Sequence, residues 1–368
     1  MVSLGKENLL HEKLKVALSL GGVILAVFLI FTTVGLYNGI NRVIENMVTK
    51  SGAELWVTSK GSSGSLHSPS LLNIALGERL KQVDGVNKAA ALIRRPLSLT
   101  LGGEKVLINV NGFDTISGLG GPWKVVDGSN QLKSGEIIVD RVLARKYDLQ
   151  IGSSLKLEDK QFRIVGISDE TFNMISYMVF VTLDDARAFL PPDLTNFFLV
   201  KVNSSTDIDT VKTAITNAIP EVSVSTNTEN AQDSKDETVG GFLPIVLVIS
   251  AVGVLVGIIV VGLMIYTMTI EKSREYGVVR ALGSTNAYLY RIVLFQALVI
   301  AVLGFVIGAA ITPPLISFLR FFVPEFMVII TPQMIIWTLV LFVATGIIAS
   351  LIPLRRLSRI DPAIVFKG

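Results

Sequence analysis

Four long apolar stretches of the chain contain no Asp, Glu, Lys or Arg, and they are unevenly spaced. They lie between Lys15 and Arg42, Glu237 and Glu271, Arg291 and Arg320, and Glu325 and Arg355. Each exceeds the roughly 20 residues with which a helix crosses about 30 Å of hydrocarbon. The pattern predicts an α-helical membrane protein with four transmembrane helices and one large domain inserted between helices 1 and 2.

Segment boundaries follow from where charges and turn-forming residues resume. We expect a cytoplasmic amphipathic lead-in at 1–15, transmembrane helices at 16–40, 239–270, 292–319 and 333–354, an extracytoplasmic domain at 41–238, a cytoplasmic coupling segment at 271–291, a short external loop at 320–332 and a cytoplasmic tail at 355–368. The helical pattern of helix 2 continues beyond the predicted span, to about residue 280. A helix over 240–280 would reach roughly 60 Å, twice the hydrocarbon thickness, and would suit a lever.

The inserted segment alternates short strand-like and helical stretches, which predicts an α+β domain. Gly102-Gly103 separates two strand-like runs and indicates a tight hairpin. Residues 113–134 are expected to form a loop, and the polar stretch 226–238 to lead into helix 2. Pro313-Pro314 predicts a kink or an end in helix 3.

Charge placement predicts which side of the membrane each segment occupies. Basic residues near the helix ends lie before helix 1, between helices 2 and 3 and after helix 4, whereas the loop between helices 3 and 4 offers only Arg320. Because cytoplasmic loops are enriched in Lys and Arg, both termini and the coupling segment are expected in the cytoplasm of a multi-pass plasma (inner) membrane protein. The net charge of +3 gives no sign of a nucleic-acid partner.

The sequence lacks the signature of an enzyme that binds nucleotide. It contains no G-x-x-x-x-G-K-[ST] motif, and the Gly-rich stretch 118–121 is expected to be a turn. His11 and His67 are predicted on opposite sides of the membrane, so a paired-histidine metal site is not expected. There are no cysteines for a disulfide or a thiolate. We therefore expect no catalytic, metal or cofactor-binding residue in this chain.

The coupling segment mixes charges of both signs with apolar residues at helical spacing. Snorkelling at the membrane surface would explain the Lys and Arg residues but not the apolar residues outside the membrane, so docking to another protein is the favoured interpretation. The candidate coupling residues are Glu271, Arg274, Glu275, Tyr276, Gly277, Arg280, Leu282 and Gly283.

Two pairs of glycines are spaced to allow close packing of membrane helices. They are Gly253 with Gly257 and Gly304 with Gly308. Small residues four apart share a helix face and let another helix approach. Packing between two chains is one interpretation; the other is that glycine is simply common in membrane helices.

Three motifs together resemble the MacB/FtsX-type (type VII, mechanotransmission) ABC transporter permeases. They are E-K-x-R-E-Y-G-x-x-R-A-L-G at 271–283, the basic, Pro-containing tail at 355–367, and G-E-I-I-V-D, L-x-I-G-S-S-L-K-L and F-R-I-V-G-I within 134–169. The DevC-like and hemin-exporter (HrtB-like) branches look closest. The resemblance implies a MacB-like periplasmic core domain and a homodimer that engages two copies of a separate ABC ATPase, which binds ATP and Mg. The chain would itself be no enzyme.

Such a permease would move its outer domain to expel a lipophilic substrate (haem, glycolipid or drug-like) from the bilayer or its outer face. Candidate substrate-proximal residues are Tyr37, Asn41, Glu45, Met47 and Phe242. Glu45 or Met47 could ligate haem, but a surface ion pair between Arg42 and Glu45 is the plainer interpretation. Two alternatives stay open, a lipoprotein- or lipid-extracting permease and an FtsX-like regulator of a cell-wall hydrolase. A membrane-anchored sensor without an ATPase is less favoured.

Overall fold

A computed structural model describes residues 11–62, 70–173, 176–239, 241, 243–281, 283–323 and 326–357. These residues form two compact units. One contains residues up to Asn38, Leu243–Phe322 and the chain from Val328 onward, and the other contains Gly39–Phe242 and Val323–Met327. The lead-in before His11, His67, Phe242, Leu282 and the tail beyond Leu357 lie outside the described residues.

The first helix, α1, spans Lys13–Thr49 and is 37 residues long. It continues nine residues beyond the predicted end at residue 40. The prediction ended the helix where charge resumes at Arg42, but a helix is maintained by its backbone hydrogen bonds. The added turns bury Ile44, Met47 and Val48, and this burial stabilises the helical conformation of these turns. The outer end of α1 thus belongs to the second unit.

The outer unit is built mainly of short strands and helices. In chain order they are β1 (Leu55–Ser59), β2 (Leu72–Asn73), α2 (Leu76–Lys81), β3 (Val86–Leu101), β4 (Glu104–Phe113), β5 (Val125–Gly128), β6 (Glu136–Asp140), α3 (Arg141–Lys146), β7 (Ser154–Leu157), β8 (Lys160–Ser168), β9 (Phe172–Asn173), β10 (Ser176–Thr182), α4 (Leu183–Ala186) with a 3-10 turn at Arg187–Phe189, β11 (Leu194–Thr195), β12 (Phe197–Val202), α5 (Ile208–Ala218), β13 (Val222–Thr226) and α6 (Asn227–Val239).

Eleven strands form one mixed sheet, with the order β13-β1-β12-β3-β4-β10-β6-β8-β5, β7 beside β8 and β9 beside β10. The pairs β4/β10 and β6/β8 are parallel, and the others are antiparallel. The predicted hairpin is confirmed: Leu101 pairs with Glu104, and Gly102 and Gly103 have φ of +56° and +85°. Positive φ at both turn positions is the conformation that glycine adopts at least cost.

One expectation for this unit was wrong. Residues 113–134 are not only loop, because β5 pairs with β8 at the sheet edge. The polar stretch 226–238, which was expected to lead into helix 2, is mostly helix α6. Its start is fixed by a capping box in which the Glu229 N–H donates to Thr226 Oγ1 and the Thr226 N–H donates to the Glu229 carboxylate (3.3 and 2.8 Å). The T-x-x-E spacing was visible in the sequence.

The membrane unit contains the inner part of α1 and four further helices, α7 (Leu243–Glu271), α8 (Ser273–Ala281), α9 (Asn286–Phe322) and α10 (Pro332–Leu357). Helices α1, α7, α9 and α10 are long and apolar enough to cross a membrane. The predicted lever over 240–280 is wrong as one helix, because α7 begins at Leu243 and ends at Glu271, where a one-residue turn at Lys272 separates it from α8. Helix α9 continues past Pro313 and Pro314, so they do not end it.

Candidate functional site

Helix α8 carries five of the eight predicted coupling residues, and its end is set by Gly283. Gly283 has φ of +96°, and the Ser284 N–H donates to the Val279 carbonyl at 3.2 Å. A left-handed glycine followed by this six-to-one hydrogen bond is a Schellman cap, which satisfies a carbonyl that the helix end would leave free. The sequence therefore stops α8 after little more than two turns.

The two faces of α8 differ in burial. Tyr276 is 2% exposed and Gly277 is also buried, while Val279 packs against the membrane core from the same side. Arg274, Glu275 and Val278 are exposed, and their spacing places them on one outward face. Tyr276 and Gly277, which were predicted as coupling residues, are buried on the inward side of α8. The Arg280 side chain lies outside the described residues.

Glu271 ends α7 and forms an ion pair with Lys15 near the start of α1. Lys15 also pairs with Glu12 at 3.1 Å. Lys272, in the turn before α8, pairs with Glu275 in the first turn of α8 at 3.2 Å. The predicted coupling residues thus form three groups. Some lie on the outward face of α8, some lie on its inward face, and Glu271 forms an ion pair with another helix of the same chain.

Met47 was a candidate haem ligand, but the structure places it in the core of the outer unit. It is 3% exposed and packs among large apolar side chains that include Trp56, Phe180 and Leu199. The cavity that Met47 lines has a volume of about 10 Å³, about enough for one water molecule. A planar macrocycle cannot reach its sulfur in this arrangement.

The other substrate-proximal candidates differ in their partners. Glu45 is exposed and pairs with Lys235 at 3.5 Å, so the expected pair with Arg42 is not the one that forms. Tyr37 and Asn41 are half-buried. The Asn41 Oδ1 atom is buried and has no hydrogen-bond partner among the described residues. Phe242 lies outside the described residues.

The two glycine pairs pack within the chain at different separations. A Cβ on Gly304 would lie 2.5 Å from Val23 Cγ1, and one on Gly308 would lie 2.9 Å from Val27 Cβ. A Cβ on Gly253 or Gly257 would meet its nearest neighbour at 3.6 Å, an ordinary contact. Only the second pair is required for the observed approach to another helix, here α1.

A charged network that sequence reasoning missed surrounds the end of α1. Glu170 accepts hydrogen bonds from Asn46 and Lys50, both at 3.3 Å, and from Lys124 at 2.7 Å. The bond from Lys124 is the main reason that the pKa of Glu170 lies below its ordinary value. Glu170 has φ of +63°, a conformation that a non-glycine residue adopts where its surroundings hold it. The residues come from three separate segments, so no local spacing in the sequence indicates the network.

Asp140 is the most strongly perturbed carboxyl of the outer unit. It caps α3 by accepting from the Val142 N–H at 2.7 Å and also accepts from the Thr171 hydroxyl at 2.5 Å. Burial raises its pKa to about 6, although these hydrogen bonds oppose the change. Among the described residues, no group of three His, Cys, Asp or Glu side chains is arranged to hold a metal ion.

Comparisons with known proteins agree with the two-unit architecture. The model of the MacB-like periplasmic core domain matches residues 16–218, and that of the FtsX-like permease C-terminal region matches residues 247–362. An uncharacterized ABC transporter permease of Mycobacterium tuberculosis is 26% identical over 364 residues, which cover 97% of this chain and 96% of the relative. The putative hemin transport system permease protein HrtB of Staphylococcus haemolyticus is 22% identical over 350 residues, covering 92% and 93%.

Two solved structures also align with this chain. The periplasmic region of MacB from Actinobacillus actinomycetemcomitans has a TM-score of 0.38 and 11% identity, covering 52% of this chain and 96% of its own. The extracellular domain of the noncanonic ABC-type transporter YknZ from Gram-positive bacteria has a TM-score of 0.35 and 17% identity, covering 47% and 99%. Since the first family model alone matches more than half of the chain, the resemblance seen in the sequence is confirmed, and the protein belongs to the MacB/FtsX family of ABC transporter permeases.

Proposed function

We propose that this permease is the membrane subunit of an exporter and that a separate ABC ATPase docks on the outward face of α8. The observation that carries the proposal is the exposure of Arg274, Glu275 and Val278 on one face, while Tyr276 on the opposite face is buried. Exposed charges around one apolar side chain are typical of a protein contact with a polar rim. The buried ring fixes the helix on the membrane core, so that force applied to α8 reaches the bundle.

The working unit in this proposal is a homodimer with two ATPase subunits, which bind ATP and Mg. Both termini and α8 lie in the cytoplasm, as the distribution of Lys and Arg indicates. Hydrolysis at the cytoplasmic face displaces α8, and the membrane helices carry the displacement to the outer domain.

The substrate is proposed to be lipophilic. No Asp, Glu, Lys or Arg occurs in the four apolar stretches, whereas pathways for ions and protons ordinarily need such groups. Haem is the first compound to test, because a relative is named as a putative hemin transport permease. Tyr37 and Asn41 remain the candidates for substrate contact, and the unpartnered Asn41 Oδ1 is available to a hydrogen-bond donor.

The docking proposal is tested by comparing two substitutions at equally exposed valines. Val278 on α8 is 41% exposed, and Val126 in β5 of the outer domain is 43% exposed. We expect Val278→Asp to lower copurification of the ABC ATPase and its stimulated hydrolysis at least tenfold, because the new carboxylate would be desolvated at the contact. Val126→Asp serves as the matched control and should bind normally. Equal binding by both variants would exclude α8 as the docking site.

The substrate proposal is tested with the permease–ATPase complex in nanodiscs. ATP hydrolysis is measured with haem, a glycolipid or a lipophilic drug added separately. Stimulation by a lipophilic compound, together with ATP-dependent release of that compound, is the expected result. Hydrolysis that depends on a copurifying cell-wall hydrolase, with no response to any of the three compounds, would instead support the regulatory alternative.

A further inference from the structure

A continuous seam joins α1 to α7 in the membrane unit. The two helices run antiparallel, and the residues in contact recur at helical spacing along one face of each helix. They are Lys15 with Glu271, Ser19 with Met264, Gly22 with Val260 and Ala26 with Gly253. The seam therefore extends over about three turns from the cytoplasmic end of α1.

Small residues let α1 and α7 approach each other closely in the middle of this seam. A Cβ on Gly22 would lie 2.7 Å from Val260 Cγ1, which is far inside ordinary carbon contact. At the start of the seam, the Lys15 ammonium reaches Glu271, the last residue of α7 before α8. The pair thus connects α1 to the junction at which α8 begins. Glu271 interacts with its own chain, whereas Arg274 and Val278 on α8 point outward.

The opposite end of α1 is fixed in the outer domain. The helix is unbroken from Lys13 to Thr49, a length of about 55 Å. Its last turns bury Ile44, Met47 and Val48, and Glu170 accepts hydrogen bonds from Asn46 and Lys50.

We propose that Lys15 and Glu271 are positioning residues that transfer the displacement of α8 to α1, and that α1 carries it to the outer domain. This inference rests on the proposed docking of the ATPase on α8. It assigns Glu271 to contact with Lys15 and not with the ATPase. It also gives a role as lever to the first membrane helix. Gly22 contributes by keeping the two helices in close register.

Charge reversal tests the proposal in the full-length complex. Because the chain has no cysteine, Ile116→Cys, at a site 94% exposed in the outer domain, allows one environment-sensitive fluorescent label. We expect ATP to change the fluorescence of the labelled protein. Lys15→Glu and Glu271→Lys should each reduce that change at least fivefold, because each places like charges together, and the double reversal should restore it to within twofold. Lys13→Glu, an exposed position on the same turn of α1, is the control and should retain the change.

Binding of the ATPase is measured in the same samples. If wild type fails to bind the ATPase, the proposed docking fails; if it binds and hydrolyses ATP without a fluorescence change, the transfer through α1 fails. Loss of ATPase binding in Glu271→Lys, or no rescue in the double reversal, would overturn the positioning role. A second pair of variants is independent of charge: Gly22→Leu should lose the signal, and Gly21→Leu should keep it, because a Cβ on Gly21 meets nothing within 4 Å.

Discussion

Gly304→Ala is expected to weaken the packing of α9 on α1, whereas Gly253→Ala is expected to leave the packing of α7 intact. The added Cβ at Gly304 would lie 2.5 Å from Val23 Cγ1 and 2.7 Å from Val23 Cβ, and Val23 is fully buried. Carbon atoms pack best at about 3.5–4.0 Å, so one helix must move by about 1 Å. At Gly253 the nearest atom would lie 3.6 Å away, and no movement is needed.

The magnitude follows from the difference between the two variants. Replacing Gly by Ala in a helix favours folding by about 1 kcal/mol, and this gain is shared by both positions. Overpacking a filled core costs about 1–3 kcal/mol, and only Gly304→Ala incurs it. We therefore expect Gly304→Ala to be less stable than Gly253→Ala by about 1–3 kcal/mol, a factor of roughly 5 to 150 in the unfolding equilibrium.

Unfolding of the full chain by SDS in mixed micelles, followed by circular dichroism, measures this difference. The double variant Val23→Ala/Gly304→Ala removes the side chain that the new methyl group meets. Its loss of stability should therefore be smaller than the sum of the two single losses. Equal unfolding midpoints for Gly304→Ala and Gly253→Ala, or strict additivity in the double variant, would refute the packing argument.

Three further predictions concern single residues. Asp140→Asn should be more stable than wild type at pH 7 by up to about 3 kcal/mol, because burial raises the pKa of Asp140 to about 6. The stability that the wild-type carboxyl contributes is present below about pH 4 and is lost as the pH rises through 6. Unfolding detected by fluorescence should therefore depend on pH differently in the two proteins, and an equal dependence would contradict this. Glu170→Gln should lose less than about 1 kcal/mol above pH 5, since Lys124 lowers the pKa of Glu170 and the half-exposed pair is screened. This loss should shrink as pH falls through the lowered pKa of Glu170, and a pH-independent difference in unfolding free energy between the two proteins would contradict this. Gly283→Ala should destabilise the end of α8 by about 1 kcal/mol because φ there is +96°, and unchanged hydrogen exchange at the Ser284 amide would contradict this.

The features that the sequence predicted well depend on short stretches of chain. The length of a charge-free run determines whether a helix can cross the bilayer, and all four such helices are present. Gly102-Gly103 determined a hairpin because two adjacent residues had to adopt positive φ. The α+β character of the outer domain followed from the alternation of strand-like and helical segments in the same local way.

The features that it predicted poorly depend on residues distant in sequence. The two glycine pairs have the same spacing, yet only Gly304 and Gly308 lie against β-branched side chains of α1 at a separation that excludes a methyl group. The capping box of α6 is visible as T-x-x-E, but the residues that follow it are polar and lack the apolar spacing that indicates a helix. The break between α7 and α8 at Lys272 has no Gly or Pro to mark it.

The outer end of α1 shows how such an error affects a functional hypothesis. The polar residues that follow the first apolar run suggested a helix end open to substrate, and therefore a ligand role for Glu45 or Met47. In the structure the helix continues and rotates Met47 into the core, while Glu45 pairs with Lys235. The Met47 sulfur, packed in the domain core, cannot also be presented to a substrate, and the exposed Glu45 carboxylate is engaged by Lys235. The search for substrate contacts therefore moves toward the membrane, to Tyr37 and Asn41, and the outer turns of α1 become part of the proposed mechanical connection.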